Sequence, residues 1–294
     1  MKEMTTILKS GKNKNPRNRI LIGTPTLGNI RIEWALARFG QVIPCNWTSA
    51  STHVGIGNVV PIHYLVADAQ NLIVKHALEQ NFEWLLLWED DVVASPETFL
   101  KLNQYMMKGD TPVVSGLYFT KGNYSEPILY RGSGTSYFHD FKLGDKVWVD
   151  GVPTGLLLIH SSLLLLMWNE SPEYTTIGNM RTRKVFETPS NIFYDPQSSS
   201  YAVKGGTSDL VWCKRVIEDK ILERAGWSNV AKKKYPFLCD TSIFCKHIDI
   251  NTGIQHPTIL PKEWADQLNK ENEKKIRKSV QELKKDSKVT FAGV

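Results

Sequence analysis

The sequence predicts an α/β fold: a mostly parallel central sheet with helices on both faces, then a less regular half and a C-terminal helix. Three observations carry this. Over residues 19–119, apolar runs of strand length alternate with stretches of helical periodicity, an order that wraps a parallel sheet. The run Trp84–Trp88 is continuously apolar, as a strand covered on both faces must be. It ends directly in Glu89, Asp90 and Asp91, and sheets of this kind carry their functional groups at the carboxyl ends of strands.

The elements follow in order. Residues 1–18, rich in Lys, Asn, Gly, Pro and Arg, read as a disordered basic arm. Residues 19–23 form the first strand, closed by the turn Thr24-Pro25-Thr26. Residues 29–39 read as a helix with Ile32, Ala35, Leu36 and Phe39 on one face, and 41–47 as the second strand. Pro61 opens a helix to about Gln80, with Ile62, Leu65, Val66, Ala69, Leu72, Ile73 and Ala77 at helical spacing. The acid-tipped strand comes next. Ser95 then caps a helix with Pro96 in its first turn, and 112–119 is a strand. In the second half, 146–149 and 156–159 are short strands around the loop 151–155. Residues 171–204, without a clear period, read as a long lid-like loop. Residues 208–225 form a helix with Thr207 or Ser208 as its cap, 243–248 a strand, and 262–288 a polar helix. One main domain over 19–255 results, divided near residue 120, with a tail from 256 to 294.

Composition narrows the classes. The net charge is +6, but residues 1–20 hold six basic residues against one acid and 262–288 hold nine against six, leaving a body of about −2. A near-neutral body argues against nucleic acid as a partner. The basic termini leave a weak contact with an anionic membrane surface open. Four cysteines without a C-x-x-C pair, and no apolar stretch among the first 20 residues, point to reduced thiols and a cytoplasmic protein.

Four groups of residues bear chemistry. Glu89-Asp90-Asp91 places adjacent carboxylates at a strand end, where a hard cation relieves their repulsion. In an extended chain, Glu89 and Asp91 share a side and Asp90 points away. The plainer reading is an acid cluster eased by the following helix N-terminus. Asp209 follows Gly205-Gly206 at a helix start, as a general base or simply as a cap. His247 ends a late strand, as a metal ligand or a structural histidine. Thr24-Pro25-Thr26 is a polar turn at a possible nucleotide site, but it lacks the glycines of a dinucleotide or P-loop fingerprint.

Taken in order, these pieces resemble the nucleotide-sugar-dependent glycosyltransferases of the GT-A fold, a Rossmann-like architecture, and the family 2-like group in particular. The likeness spans roughly residues 19–250. It rests on the strand and turn 20–26, on Gln70-Asn71 where the family has an Arg-Asn pair, and on Glu89-Asp90-Asp91 as its Asp-x-Asp motif. It also rests on 149–159 as its glycine loop, on Ser208-Asp209 before Trp212-Cys213, and on Asp240 through His247.

The resemblance implies Mn²⁺ or Mg²⁺ held by Asp91 and His247, with Glu89 nearer the ribose or a metal-bound water. It implies a nucleoside-diphosphate sugar, foremost a UDP-sugar, against Thr24, Pro25, Thr26, Asn71, Glu89 and Asp90. A glycan or other hydroxyl acceptor lies near Trp148, Thr154 and Gly155, with Asp209 removing its proton in an inverting displacement. The departures are Gln70 for Arg, Ser208 for an acid, and no acid after the second strand. Two other classes share these features: a metal-dependent phosphoryl-transfer enzyme or nuclease, and a non-catalytic nucleotide-sugar binder.

Overall fold

The computed structural model describes residues 20–44, 56–122, 124–132, 137–196 and 200–259, together with Trp264, Asp266, Lys270, Lys274, Lys278 and Gln281 of the tail, which are helical. The rest of the expected helix 262–288 and the basic arm 1–18 lie outside the described residues.

One sheet organises the chain. Its path runs β13 (Gln255–His256), β12 (Phe237–Ile248), β5 (Val113–Leu117), β7 (Leu156–His160), β3 (Trp84–Trp88), β1 (Ile20–Gly23) and β2 (Ile56–Val59). β2, β1 and β3 are mutually parallel, and β5 is parallel to β12. β7 lies antiparallel between β3 and β5, so these two run the same way. Five strands of the path therefore share a direction and bring their carboxyl ends to one edge. β4 (Val92–Ala94) and β6 (Lys146–Val149) add antiparallel pairs to β12.

Helices cover both faces, and the sheet separates two apolar cores. On one face α2 (Val66–Glu79), α4 (Ser161–Glu170) and α5 (Ser208–Glu218) bury Ile73, Leu163 and Trp212 among Leu85, Leu87, Leu157 and Phe237. On the other, α1 (Ile32–Phe39) and α3 (Thr98–Lys108) bury Trp34, Phe99 and Leu102 against Trp84, Leu86, Trp88 and Leu158. The alternation along β3 sends Leu85 and Leu87 to one core and Leu86 and Trp88 to the other, as a strand covered on both faces requires.

Several expectations are corrected. α1 turns the opposite face inward. Trp34 and Arg38 are buried, while Ile32, Leu36 and Phe39 are 66%, 66% and 78% exposed. The inward face wins because its polar ends are satisfied: Trp34 Nε1 donates to the Glu89 carbonyl at 2.8 Å, and Arg38 bonds Asn58 and lies over the rings of Trp88 and Phe99. The second strand is Ile56–Val59 rather than 41–47. Residues 41–44 are irregular because Gln41 is held elsewhere, bonding the carbonyls of Ala37 and Ser95 and the amide of Phe99; residues 45–47 lie outside the described residues.

The segment 171–204 is no plain loop. It contains the hairpins β8 (Glu173–Thr175) with β9 (Arg181–Arg183) and β10 (Ser190–Asp195) with β11 (Ser200–Gly205). The helix expected over 208–225 breaks after Glu218, where Lys220 takes a left-handed φ of 52°, and resumes as α6 (Ile221–Arg224). A short α7 (Ser228–Ala231) follows. The late strand begins six residues earlier than expected and carries an irregularity in register between Asp240 and Phe244.

Candidate active site

The acids after β3 do not continue the strand. The Val92 amide bonds the Glu89 carbonyl at 3.2 Å, so Glu89, Asp90 and Asp91 form a tight turn into β4. The alternation expected of an extended chain therefore does not set their directions; the turn and its neighbours do. The Glu89 backbone is held by Trp34 and by the Gly155 carbonyl, which accepts its amide at 2.9 Å.

Each acid has its own environment. Glu89 Oε1 accepts from Thr154 Oγ1 at 2.9 Å, and Thr154 accepts from Gln70 Nε2 at 3.1 Å. Burial, with the Asp91 charge adding to it, pushes the Glu89 carboxyl up to about 8. Asp209 and Asp90 raise it further, so these acids of distant sequence share one field. Asp90 is raised by burial, an effect opposed by its bond from Thr26. Burial also acts on Asp91, but bonds and charge from His247 and Lys121 outweigh it and hold that carboxyl below its ordinary range. Asp209, at the start of α5, is raised by burial against bonds from Thr207 and the Leu210 amide. Tyr118 stands among them, its hydroxyl accepting from the Gly155 amide at 2.7 Å, its titration pushed far up by burial, Glu89, Asp209 and Asp91.

His247 reaches Asp91 across the β4–β12 pairing. Its Nε2 lies 3.2 Å from Asp91 Oδ2, and its Nδ1 lies 2.8 Å from the Phe119 carbonyl. A carbonyl only accepts, so Nδ1 carries the proton, as in metal-ligating histidines steadied by a backbone oxygen. Nε2 and Oδ2 then face each other with a proton or another cation needed between them. Their spacing suits adjacent ligands of a small octahedral ion, which lie about 3 Å apart when bonds are about 2.1 Å. Asp91 Oδ1 is buried without a partner, a second sign of an unfilled valence.

Among the described residues, however, no three His, Cys, Asp or Glu side chains gather closely enough to hold a metal by themselves. The pair Asp91–His247 fits an ion that completes its shell with waters and substrate oxygens, as magnesium does. Glu89, expected to share the ion, accepts from Thr154 through Oε1 and lies within the field of Asp91.

The structure thus brings together Glu89, Asp90, Asp91, Thr154, Gly155, Asp209 and His247. Thr24, Pro25 and Thr26 are buried at the end of β1, where Thr26 supports Asp90 and accepts the Gly28 amide at 3.0 Å. Asn71 belongs to a different task. Fully buried, it donates to Tyr174 and the Phe186 carbonyl and accepts the amides of Val185 and Phe186. Those bonds occupy its amide with the backbone of Val185 and Phe186 and with the Tyr174 hydroxyl. Trp148 is grouped with Arg131, Phe138 and Lys146 along a cleft of about 350 Å³, with Lys233 over its ring. Two residues of the site escape sequence reasoning, Tyr118 and Lys121. Tyr118 directly follows β5 and Lys121 lies a few residues further on; the carboxyl end of that strand joins the same edge, and that position is the signal that points to them.

No family model matches this chain, and no curated protein matches it. Among solved structures it is similar to A197 from STIV, at 16% identity over 79% of this chain and 87% of that one, with a TM-score of 0.46. It is also similar to a glucose-1-phosphate thymidylyltransferase from Bacillus anthracis in complex with a sucrose, at 7% identity over 53% and 76% of the two chains, with a TM-score of 0.28. Likenesses this slight carry no argument about activity. Among the described residues no helix is long and apolar enough to cross a membrane.

Proposed function

We propose that the protein is a glycosyltransferase that moves a sugar from a nucleoside-diphosphate sugar to an acceptor hydroxyl, using a divalent cation. The observation that carries this reading is the convergence of Asp91 and His247 with a separate, buried base, Asp209, in one field with Glu89. When bound, the cation neutralises charge gathering on the departing diphosphate.

The chain's own residues supply the rest. Asp91 and His247 would hold the ion. Glu89, fixed by Thr154 and within the field of Asp91, would meet a ribose hydroxyl or a metal-bound water. Asp209, made more basic by burial, takes the acceptor's proton as the new bond to the anomeric carbon forms and the bond to the diphosphate breaks. Attack from the face opposite the leaving group inverts the anomeric centre.

A thermal-shift screen of nucleoside diphosphates with and without Mn²⁺ tests the binding half. Asp209→Asn tests the chemical half: transfer falls about 10²–10⁴-fold with donor binding retained. Stabilisation by no nucleoside diphosphate, with or without Mn²⁺, would sink the proposal. A donor-binding protein in which neither wild type nor variant turns over would leave only a non-catalytic binder.

A further inference from the structure

Among the described residues, Lys121 is a cation in direct contact with a candidate metal ligand. Its Nζ lies 2.5 Å from Asp91 Oδ2, the oxygen that also faces His247. The pair is partly shielded, with side-chain exposures of 32% and 17%. Asp90 and Asp249 feel the same ammonium.

The residues on either side of the lysine are bonded through their backbone amides. The Thr120 amide bonds the Glu126 carbonyl at 2.8 Å, and the Glu126 amide returns to Thr120 Oγ1 at 3.0 Å. The Gly122 amide donates to His256 Nδ1 at 3.3 Å, and His256 pairs with His247 where β13 meets β12. Lys121 and His247 are therefore carried to Asp91 by the same corner of the sheet. Lysine's ammonium satisfies Oδ2 alone, since Oδ1 stays without a partner. A divalent ion on Asp91 and His247 would repel that ammonium, and the four-carbon stem lets it move while its backbone stays fixed.

We infer that Lys121 is a resident counter-ion that competes with the divalent cation for Asp91 and, once displaced, grips the substrate's diphosphate. This rests on the glycosyltransferase reading for its substrate, while the competition for Asp91 stands on geometry alone. A displaced ammonium beside the ion is a point-charge phosphate ligand.

The test is calorimetric titration of wild type, Lys121→Gln and Lys121→Arg with Mn²⁺ alone, then with UDP at saturating Mn²⁺. Lys121→Gln binds Mn²⁺ about fivefold tighter and UDP about fivefold weaker, as expected for losing one partly exposed charge contact in each state. Lys121→Arg, which keeps the charge, stays near wild type in both and guards against a folding defect. Movement of both affinities in the same direction, or of neither, overturns the proposal and leaves metal binding by Asp91 and His247 intact. Mn²⁺ binding by Lys121→Gln but not by wild type supports the competition and overturns metal-dependent transfer instead. Absence of Mn²⁺ binding in all three proteins overturns both.

Discussion

His247 meets Asp91 with Nε2 3.2 Å from Oδ2, while its other ring nitrogen is committed to the Phe119 carbonyl. The ring is thus oriented by the backbone and does not depend on the carboxylate to hold its place. His247→Ala should weaken Mn²⁺ binding by at least about 10–100-fold, since loss of an outer-shell partner alone costs that much. Competition with a fluorescent chelator measures this; equal Mn²⁺ affinity in the variant would remove His247 from the metal shell.

Asp90 and Asp91 should separate in the same titration. Asp90 is bonded by Thr26 at the end of β1, whereas Asp91 keeps an unpartnered oxygen beside His247. Asp91→Asn should abolish measurable Mn²⁺ binding, and Asp90→Asn should change it less than about fivefold. Equal losses would place the ion in the wrong part of the turn.

Glu89 gives the ligand-free protein a distinctive pH dependence. Its folded value is about 8, against roughly 4.3 for a free glutamate. Between these values the folded state binds the extra proton, so by linkage stability falls as pH rises through this window. Glu89→Gln, which is neutral throughout, should flatten that fall in melting temperature between pH 5 and 8. Parallel curves for variant and wild type would show that Glu89 is not the group responsible.

Asn71→Ala tests a structural clamp. The amide holds both amides and one carbonyl at Val185 and Phe186, and it takes part in the Tyr174–Asp68 contact. Leaving those buried groups unpaired should cost about 3 kcal/mol, read from the urea midpoint. Unchanged stability, with lost nucleotide affinity, would return Asn71 to the donor site.

Gly155→Ala should damage the site from within. A methyl group there would lie 2.2 Å from the Tyr118 hydroxyl and 2.8 Å from a Val92 methyl. Tyr118 is fully enclosed and Val92 fixes the acid turn, so the strain falls on both. Transfer should drop at least about tenfold, with stability reduced by about 1–3 kcal/mol. A variant with wild-type rate and stability would mean that the loop 151–155 yields freely.

The chain's local chemistry by itself determined the strand Trp84–Trp88 and its acid tip, the helix after Ser95, the strands Lys146–Val149 and Leu156–His160, and the helix beginning at Ser208. Apolar runs, prolines and helix starts act over a few residues, and so they can be read from the sequence directly. Tertiary structure alone decided the rest. It chose the inward face of α1, because Trp34 and Arg38 find partners on Glu89, Asn58, Trp88 and Phe99 that Leu36 and Phe39 could not use. It placed β7 antiparallel between β3 and β5, and it gave Glu89 a hydrogen bond from Thr154. It joined Asp91 to His247 and Lys121, 156 and 30 residues away along the chain. Such contacts depend on strand order and on competition for buried polar partners, which no single segment encodes.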